Sequence, residues 1–153
     1  MSLGVDTFLP VQVTAATAVD AAAGGRADYR LMAAVRPAVA RYCRARLGCD
    51  DRADGVARAV CRTIATTPPD AFDEAVLIPF VYRTAAAAVD AEVATGSAGL
   101  PPQLAALPPS LREVLVLRVA VGLSLEHTAT AIGATPEAVR HVQHHALQQL
   151  RAG

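Results

Sequence analysis

The segment 124–147 constrains the fold of this chain most, because its cap and turn residues stand where two short helices need them. Ser124 can cap a first helix, and Gly133 can end it at a tight turn that needs positive φ. Thr135 can cap a second helix with Pro136 at its first position, where the missing N–H costs nothing. The sequence therefore predicts two helices that cross at a glycine turn.

The side chains of this segment divide into an apolar set and a polar set. Ala129, Val139 and Val142 can supply the contacts between two crossed helices. The second helix has a polar outward surface, here called the reading face, formed by Glu137, Arg140, His141 and His144. This arrangement is typical of a helix-turn-helix, and it predicts DNA contacts for the reading face together with Thr135 and Pro136. A generic helical hairpin is the alternative for the same pattern.

A third element is expected ahead of this pair, over residues 110–119. Its valines suit a strand by propensity. Ser110, interpreted as an N-cap, and the mixed spacing of the apolar residues favour a packed helix instead. The segment lies between Pro109 and Gly122, which bound it on either side.

The composition is typical of an all-α protein with a small core, because 53% of the residues are hydrophobic but only 4% are aromatic. No run of 18 apolar residues predicts a membrane-spanning helix. Residues 1–25 lack the basic start and compact apolar block of a signal peptide, and we interpret them as a partly ordered tail. These features predict a cytoplasmic location.

The net charge of zero is unevenly distributed. Residues 26–66 have nine Arg against four Asp, a net of +5, and residues 67–99 have one Arg against five acids, a net of −4. Residues 100–153 have four Arg against three Glu, a net of only +1. DNA-binding domains usually concentrate positive charge on the binding face, so we expect this one to act with a larger partner.

Other chemistry finds little support in the sequence. The three cysteines, Cys43, Cys49 and Cys61, lack CxxC spacing and are expected to be free thiols. His141 and His145 are one helical turn apart, but no acid or cysteine is spaced to complete a metal site with them. No nucleophile–base pair, catalytic carboxylate pair or phosphate loop is present, so neither an enzyme, a metal nor a cofactor is predicted.

The chain is predicted to form two small helical bundles joined by a short linker. Helices are expected at 28–47, 51–67 and 72–93, with Pro79 starting a new helix inside the third. The predicted organisation is a tail (1–25), a helical domain (26–93), a linker (94–107) and the helix-turn-helix domain (108–153). The 14-residue linker reaches at most ~50 Å, which favours packing of the two bundles on each other.

Motifs in both parts resemble the extracytoplasmic-function (ECF) sigma factors of bacterial RNA polymerase. These proteins consist of a region 2 helical domain, a linker and a region 4 helix-turn-helix. The C-terminal motifs are Leu-Pro-Pro-Ser-Leu-Arg-Glu-Val-Leu-Val-Leu-Arg (107–118), Gly-Leu-Ser (122–124), Ala-Ile-Gly (131–133) and Ala-Val-Arg (138–140). The N-terminal motifs are Arg-Pro (36–37), Arg-Tyr-Cys-Arg-Ala-Arg (41–46), Ala-Asp (53–54) and Phe-Val-Tyr (80–82). The resemblance covers residues 28–151.

This resemblance implies that region 4 binds the promoter minus-35 element while the chain is associated with RNA polymerase core. The implied polymerase contacts are Asp54, Val56, Arg58 and Arg62, and an anti-sigma protein is a further candidate partner. The implied contacts with phosphates or with the polymerase flap are Arg112, Arg118 and Arg151.

Two segments depart from the family pattern. Arg58 and Ala59 replace a glutamine and a glutamate, and the charge of Arg58 would repel a basic partner surface. Alanines at 85–88 and the acids Asp90 and Glu92 stand where the family usually has groups that hold melted DNA. The alternative hypothesis is therefore a degenerate sigma-like regulator that binds polymerase, an anti-sigma protein or itself without initiating transcription.

Overall fold

The computed structural model describes residues 24–48, 51–66, 74–95 and 100–153, and only the backbone of residues 24–31 and 74. Every regular element within these ranges is helical, which confirms the all-α prediction. The elements are α1 (Gly24–Leu47), α2 (Asp51–Thr66), α3 (Glu74–Ala94), α4 (Pro102–Ala105), α5 (Pro109–Leu115), a π-helical turn (Val116–Val121), α6 (Leu125–Ile132) and α7 (Pro136–Ala152). The N-terminal lobe is α1–α3, and the C-terminal lobe runs from α5 to α7.

The N-terminal lobe is a three-helix bundle with an apolar core. Val35, Val39 and Tyr42 of α1 are fully buried one helical turn or so apart, as an amphipathic helix requires. α1 ends at Leu47, as predicted. Gly48 follows with a φ of 98°, which suits glycine, and its N–H donates to the Arg44 carbonyl at 2.8 Å. The bounds of α1, α2 and α3 agree with the predicted helices to within a few residues.

The predicted break at Pro79 is wrong, because α3 runs continuously through this residue. A proline inside a helix removes one donor from the hydrogen-bond ladder, and its ring crowds the carbonyl four residues earlier, at a cost of about 3 kcal/mol. Leu77 and Ile78 before it, and Val81 and Tyr82 after it, are almost completely buried in the bundle core. Burial on both sides therefore holds the helix together across the proline.

The helix expected at 110–119 is present, but it starts and ends differently. The N-cap of α5 is Pro108, so Ser110 lies inside the helix and does not cap it. After Leu115 the backbone continues as the π-helical turn, which ends at Gly122 with φ 88°. The N–H groups of Gly122 and Leu123 both donate to the Leu117 carbonyl, at 3.1 and 3.0 Å.

The two lobes share one hydrophobic core, so the packing predicted from the short linker is confirmed. We call their contact region the seam. Leu117 and Leu123 of the C-terminal lobe are almost completely buried among the core residues of α1–α3. Val116, Val121 and Ala131 belong to the same cluster. α1 packs on the π-helical turn, and α3 packs on α6.

Some of the other predictions concern residues that the structure does not describe. Cys43 and Cys61 are buried free thiols, as expected, and Cys49 lies outside the described residues. The described residues also leave out residues 1–23 of the predicted tail and residues 96–99 of the predicted linker. No helix within the described ranges has the length and apolar character needed to span a membrane.

Candidate nucleic-acid interface

The cap residues of the predicted helix-turn-helix act as the sequence indicated. The Ser124 hydroxyl accepts a hydrogen bond from the His127 N–H at 2.9 Å, and the Thr135 hydroxyl accepts one from the Ala138 N–H at 3.1 Å. Gly133 ends α6 in the left-handed conformation, with φ 73° and ψ 37°. These local hydrogen bonds fix where α6 stops and where α7 starts, and so they set the direction of α7.

One side of α7 is buried against the other helices of its lobe. Val139 is fully buried in a small cluster with Val114 and Ala129, and Val142 packs against it. One turn further on, Ala146 is fully buried against Leu107, Leu111 and Leu115. These contacts confirm the apolar set predicted between the crossed helices, and they fix which side of α7 remains outside.

The reading face lies on that outer side. Its four side chains are exposed, as are Thr135 and Pro136 at the start of the helix. α7 packs on α5 and α6, and it has no substantial packing against α1–α3. Within the part of the chain that the structure describes, the packing of the two lobes on each other therefore leaves the reading face uncovered.

The reading face has the chemistry of a polar recognition surface. Arg140 can donate to base edges or phosphates, and His141 and His144 can donate or accept. Glu137 lies in the first turn of α7, where a carboxylate interacts favourably with the helix dipole. Among the described residues, these four side chains form no ion pair and no side-chain hydrogen bond, so their polar groups face solvent.

The predicted polymerase contacts occupy two different positions on α2. Asp54 is half-buried and accepts from Arg44, through Nε at 3.0 Å and Nη2 at 2.9 Å. Arg58 and Arg62 follow at four-residue intervals on the same side of the helix and are exposed. Val56 instead packs against the shared core. The structure thus brings the three charged residues together and separates Val56 from them.

Two of the three arginines considered for phosphate or flap contacts donate hydrogen bonds within residues 104–143. Arg112 donates to the carbonyls of Leu104 and Leu107, which ties α4 to α5. Arg118 donates to Gln143 Oε1 at 2.8 Å and to the Leu123 carbonyl. Such hydrogen bonds orient α7 relative to the π-helical turn. Only Arg151, at the end of α7, is exposed as expected.

Sequence reasoning missed a polar cluster at the seam. Glu113 accepts from the Tyr42 hydroxyl, at 2.8 Å to Oε1 and 2.9 Å to Oε2. Arg46 donates to the Tyr42 oxygen at 2.9 Å and forms ion pairs with Glu113 at 3.3 Å and Asp90 at 2.9 Å. This seam cluster of four residues connects α1, α3 and α5, and so it joins the two lobes.

Burial changes the acid–base behaviour of the seam cluster. Desolvation is the largest effect on Glu113 and raises the pKa of its carboxyl above 4.5, although the Tyr42 hydrogen bond and the charge of Arg46 oppose this shift. Desolvation also raises the pKa of the Tyr42 hydroxyl, and the nearby Glu113 adds to that effect. Tyr42 therefore acts as a hydrogen-bond donor to Glu113 at neutral pH.

One sequence signal could have indicated the N-terminal half of this cluster. Tyr42 and Arg46 are four residues apart, on the face of α1 that the buried valines define. An arginine on the apolar side of a helix needs an acid close by. The acid that it finds, Glu113, is 67 residues away, and no local pattern identifies it.

Comparisons with known proteins agree with this geometry. The family model "Sigma-70, region 4" matches residues 103–152. The ECF RNA polymerase sigma factor SigD of Mycobacterium tuberculosis is 38% identical over 172 aligned residues, which cover 89% of this chain and 81% of SigD. ShbA, an ECF RNA polymerase sigma factor of Streptomyces griseus, is 59% identical over 49 residues, covering 32% of this chain and 26% of ShbA.

A solved structure shares the fold of this chain. CnrH, in its complex with the cytosolic domain of CnrY, superposes with a TM-score of 0.62 over 96% of this chain and 95% of CnrH. The two sequences are 23% identical, and at that level the likeness concerns the fold.

Proposed function

Because this chain belongs to the ECF sigma factors of RNA polymerase, we propose that α7 reads the promoter minus-35 element while the chain is bound to polymerase core. Members of the family direct transcription initiation by binding core polymerase and promoter DNA, and this chain does the same. They act by binding and do not catalyse a reaction themselves. What is proposed here is which residues of this chain make the contacts.

The single observation that carries the proposal is the exposed reading face of α7. A recognition helix must present its first turns to the major groove, which is about 12 Å wide and admits one α-helix. α7 begins at Pro136, and its buried side at Val139 and Ala146 leaves the reading face outward. Arg140, His141 and His144 are then the side chains that reach base edges, and Thr135 and Pro136 lie where the helix meets the DNA.

The polymerase contacts are proposed on α2. Arg58 and Arg62 are exposed and available to a partner, whereas Asp54 already binds Arg44. Val56 supports the surface from the core side. A partner surface therefore meets the two exposed arginines before Asp54 or Val56, and their charge favours an acidic partner surface over a basic one.

Run-off transcription with core polymerase tests the proposed function. The wild-type chain should bind core and produce promoter-dependent transcripts, and Arg140→Glu should abolish the transcripts while core binding persists. Gln103→Glu is the control, because it adds a negative charge at an exposed position of α4 where no contact is proposed, and it should leave transcription nearly unchanged.

The run-off assay also tests the alternative function, a sigma-like regulator that does not initiate transcription. Core binding without transcripts from the wild-type chain would support the non-initiating regulator, which no structural or sequence comparison favours at present. Transcription that survives Arg140→Glu would remove α7 as the reader. The cytoplasmic location stays a prediction.

A further inference from the structure

Histidine is concentrated on α7, the helix that carries the reading face. Three of the four histidines of the chain, His141, His144 and His145, lie on this helix, and all three are exposed. His141 and His144 belong to the reading face, and His145 follows His141 by about one helical turn, at the edge of that face. No described residue forms an ion pair with any of them. Three imidazoles therefore share one solvent-exposed side of the helix.

When these histidines are neutral, the reading face has no net charge, because the charges of Arg140 and Glu137 cancel. The chain contains no lysine, and the next arginine on α7 is Arg151, at the far end of the helix. A protein binds duplex DNA largely through cations that replace the counterions of the phosphates. A neutral reading face therefore binds a duplex weakly.

Protonation of the histidines changes this balance. An imidazole side chain ordinarily gains its proton, and with it a positive charge, in the range between about pH 8 and pH 5. Three imidazolium groups beside Arg140 would bring the charge of this side of α7 from zero to +3. Each protonated ring also donates from both nitrogens, which suits phosphate oxygens.

The spacing along α7 couples this protonation to DNA binding. Arg140 and His144 are four residues apart, as are His141 and His145, and like charges at this spacing repel each other. Only Glu137, four residues before His141, favours a positive charge within the helix. Phosphates close to the rings would favour the charged form of all three. The free helix thus resists full protonation, and a bound duplex promotes it.

The elements that pack against α7 carry few groups that compete with this effect. α7 packs on α5 and α6, it is hydrogen-bonded to the π-helical turn through Gln143, and α4 contacts the same apolar cluster without a charged residue. The charged or titratable groups of these elements are Arg112, Glu113, Arg118, Glu126 and His127. Both arginines donate to backbone carbonyls, and Glu113 belongs to the seam cluster. Glu126 is exposed in the first turn of α6, and His127 is partly buried beside it.

His145 has one polar neighbour, which is compatible with both of its charge states. Its Nε2 lies 3.1 Å from Gln149 Nε2, one turn further along α7. The amide nitrogen donates to an unprotonated ring nitrogen, and after rotation of the amide its oxygen accepts from a protonated one. Both side chains are exposed.

We propose that His141, His144 and His145 bind DNA phosphates as imidazolium groups, so that α7 takes up protons when it binds and holds a duplex more tightly as the pH falls. The inference rests on the proposed function of α7, and it adds His145 to the contacts and protonation to their control. It also explains how a domain with so little fixed positive charge binds DNA. At higher pH the chain depends more strongly on core polymerase to hold it at a promoter.

Fluorescence anisotropy of the full-length chain with a random-sequence duplex of about 20 base pairs tests the inference, because phosphate binding does not depend on sequence. At constant salt, the affinity should rise at least about tenfold between about pH 8 and about pH 6. The slope of log K against log salt concentration should steepen by about 0.9 for each phosphate that a histidine binds, roughly 2 to 3 in all.

Three variants assign the effect to the histidines. In H141Q/H144Q/H145Q the ratio of the affinities at the two pH values should be about 1, whatever affinity remains at the higher pH. H141R/H144R/H145R has permanent charges, so it should bind at the higher pH about as tightly as the wild type binds at the lower pH. Glu113→Gln is the control for a pH effect of the seam, and it should keep the full rise. Circular dichroism at both pH values checks that each variant keeps its helices.

Several results would overturn the inference. A wild-type affinity and salt slope that do not change with pH contradict it, and so does a rise that survives in H141Q/H144Q/H145Q. Loss of the rise in Glu113→Gln would assign the effect to the seam instead of the histidines.

The run-off assay at neutral pH separates this inference from the proposed function. If Arg140→Glu abolishes transcripts while the duplex affinity is the same at both pH values, α7 is the reader and only the inference fails. Transcription that survives Arg140→Glu removes the proposed function, whereas the affinity ratios still decide whether the histidines bind phosphates.

Discussion

The reading face of α7 and the seam cluster show two uses of polar side chains in one small protein. In the seam cluster, Tyr42 and Arg46 are buried and Glu113 is partly buried, and each binds at least one of the others. On the reading face, Arg140 and His141 are exposed and have no side-chain partner among the described residues. Groups that the fold satisfies internally hold the lobes together, and groups that it leaves in solvent remain available to DNA.

The difference follows from the cost of burying charge. A buried arginine must be paired, because an unpaired ion in the interior is strongly destabilising. Arg46 therefore needs Glu113, and the pair connects the lobes. Arg140 is exposed to solvent and needs no acidic partner, so its side chain stays available to a ligand without destabilising the fold.

Of the substitutions that test this comparison, the largest loss of stability is expected in the apolar part of the seam. Leu117→Ala should lower the free energy of unfolding by about 2–5 kcal/mol, because Leu117 is fully buried between the lobes. Urea unfolding followed by circular dichroism measures the change. Val119→Ala is the control, since Val119 is 68% exposed and its loss should change stability by less than about 0.5 kcal/mol. A small loss at Leu117 would contradict the shared core.

The next largest loss of stability is expected in the polar part of the seam. Glu113→Ala leaves Arg46 buried without one of its two acids and should cost about 1–3 kcal/mol of unfolding free energy. Asp90→Ala removes the other acid, but the Asp90 side chain is 68% exposed, so its loss should cost less than about 1 kcal/mol. If both substitutions cost the same, burial would not distinguish the two ion pairs.

The reading face should respond in the opposite way. Arg140→Ala should weaken binding to a transcribed promoter duplex by about 1–3 kcal/mol if the arginine contacts a base, and it should leave the free energy of unfolding almost unchanged. Fluorescence anisotropy and urea unfolding of the same preparation measure the two quantities. Loss of stability without loss of DNA affinity would show that Arg140 serves the fold.

The smallest expected effect is a dependence on pH. Burial raises the pKa of the Glu113 carboxyl above 4.5, so the folded chain holds this proton more tightly than the unfolded chain does. The wild type should therefore gain unfolding free energy relative to Glu113→Gln as pH falls from neutral towards 4.5. Urea titrations at several pH values measure the difference, in which the other acids largely cancel. The opposite trend would mean that the charge of Arg46 outweighs burial.

The local features of the C-terminal lobe could be predicted from the sequence because each depends on a few adjacent residues. Ser124, Gly133 and Thr135 determine their caps and turn through hydrogen bonds within four or five positions. Ser110 shows the limit of the same reasoning. Its residue type suits a cap, but Pro108 and Pro109 start the helix two residues earlier.

Features that depend on distant residues were not predictable in this way. Pro79 is tolerated because residues from all of α1–α3 bury its neighbours, which its own sequence context does not indicate. Tyr42 and Glu113 are 71 positions apart, and their hydrogen bond exists only once both lobes are in place. The π-helical turn has no periodic signal in its valine-rich sequence. The polymerase and DNA contacts themselves stay predictions.

The shared core affects which conformation the chain adopts when it is not bound to a partner. If the lobes come apart to span a promoter, Leu117, Leu123 and the apolar faces of α1 and α3 enter water together. Such a surface invites aggregation and proteolysis. The form with separated lobes should therefore persist only while another macromolecule covers this apolar surface. In the free chain the two lobes should pack on each other again.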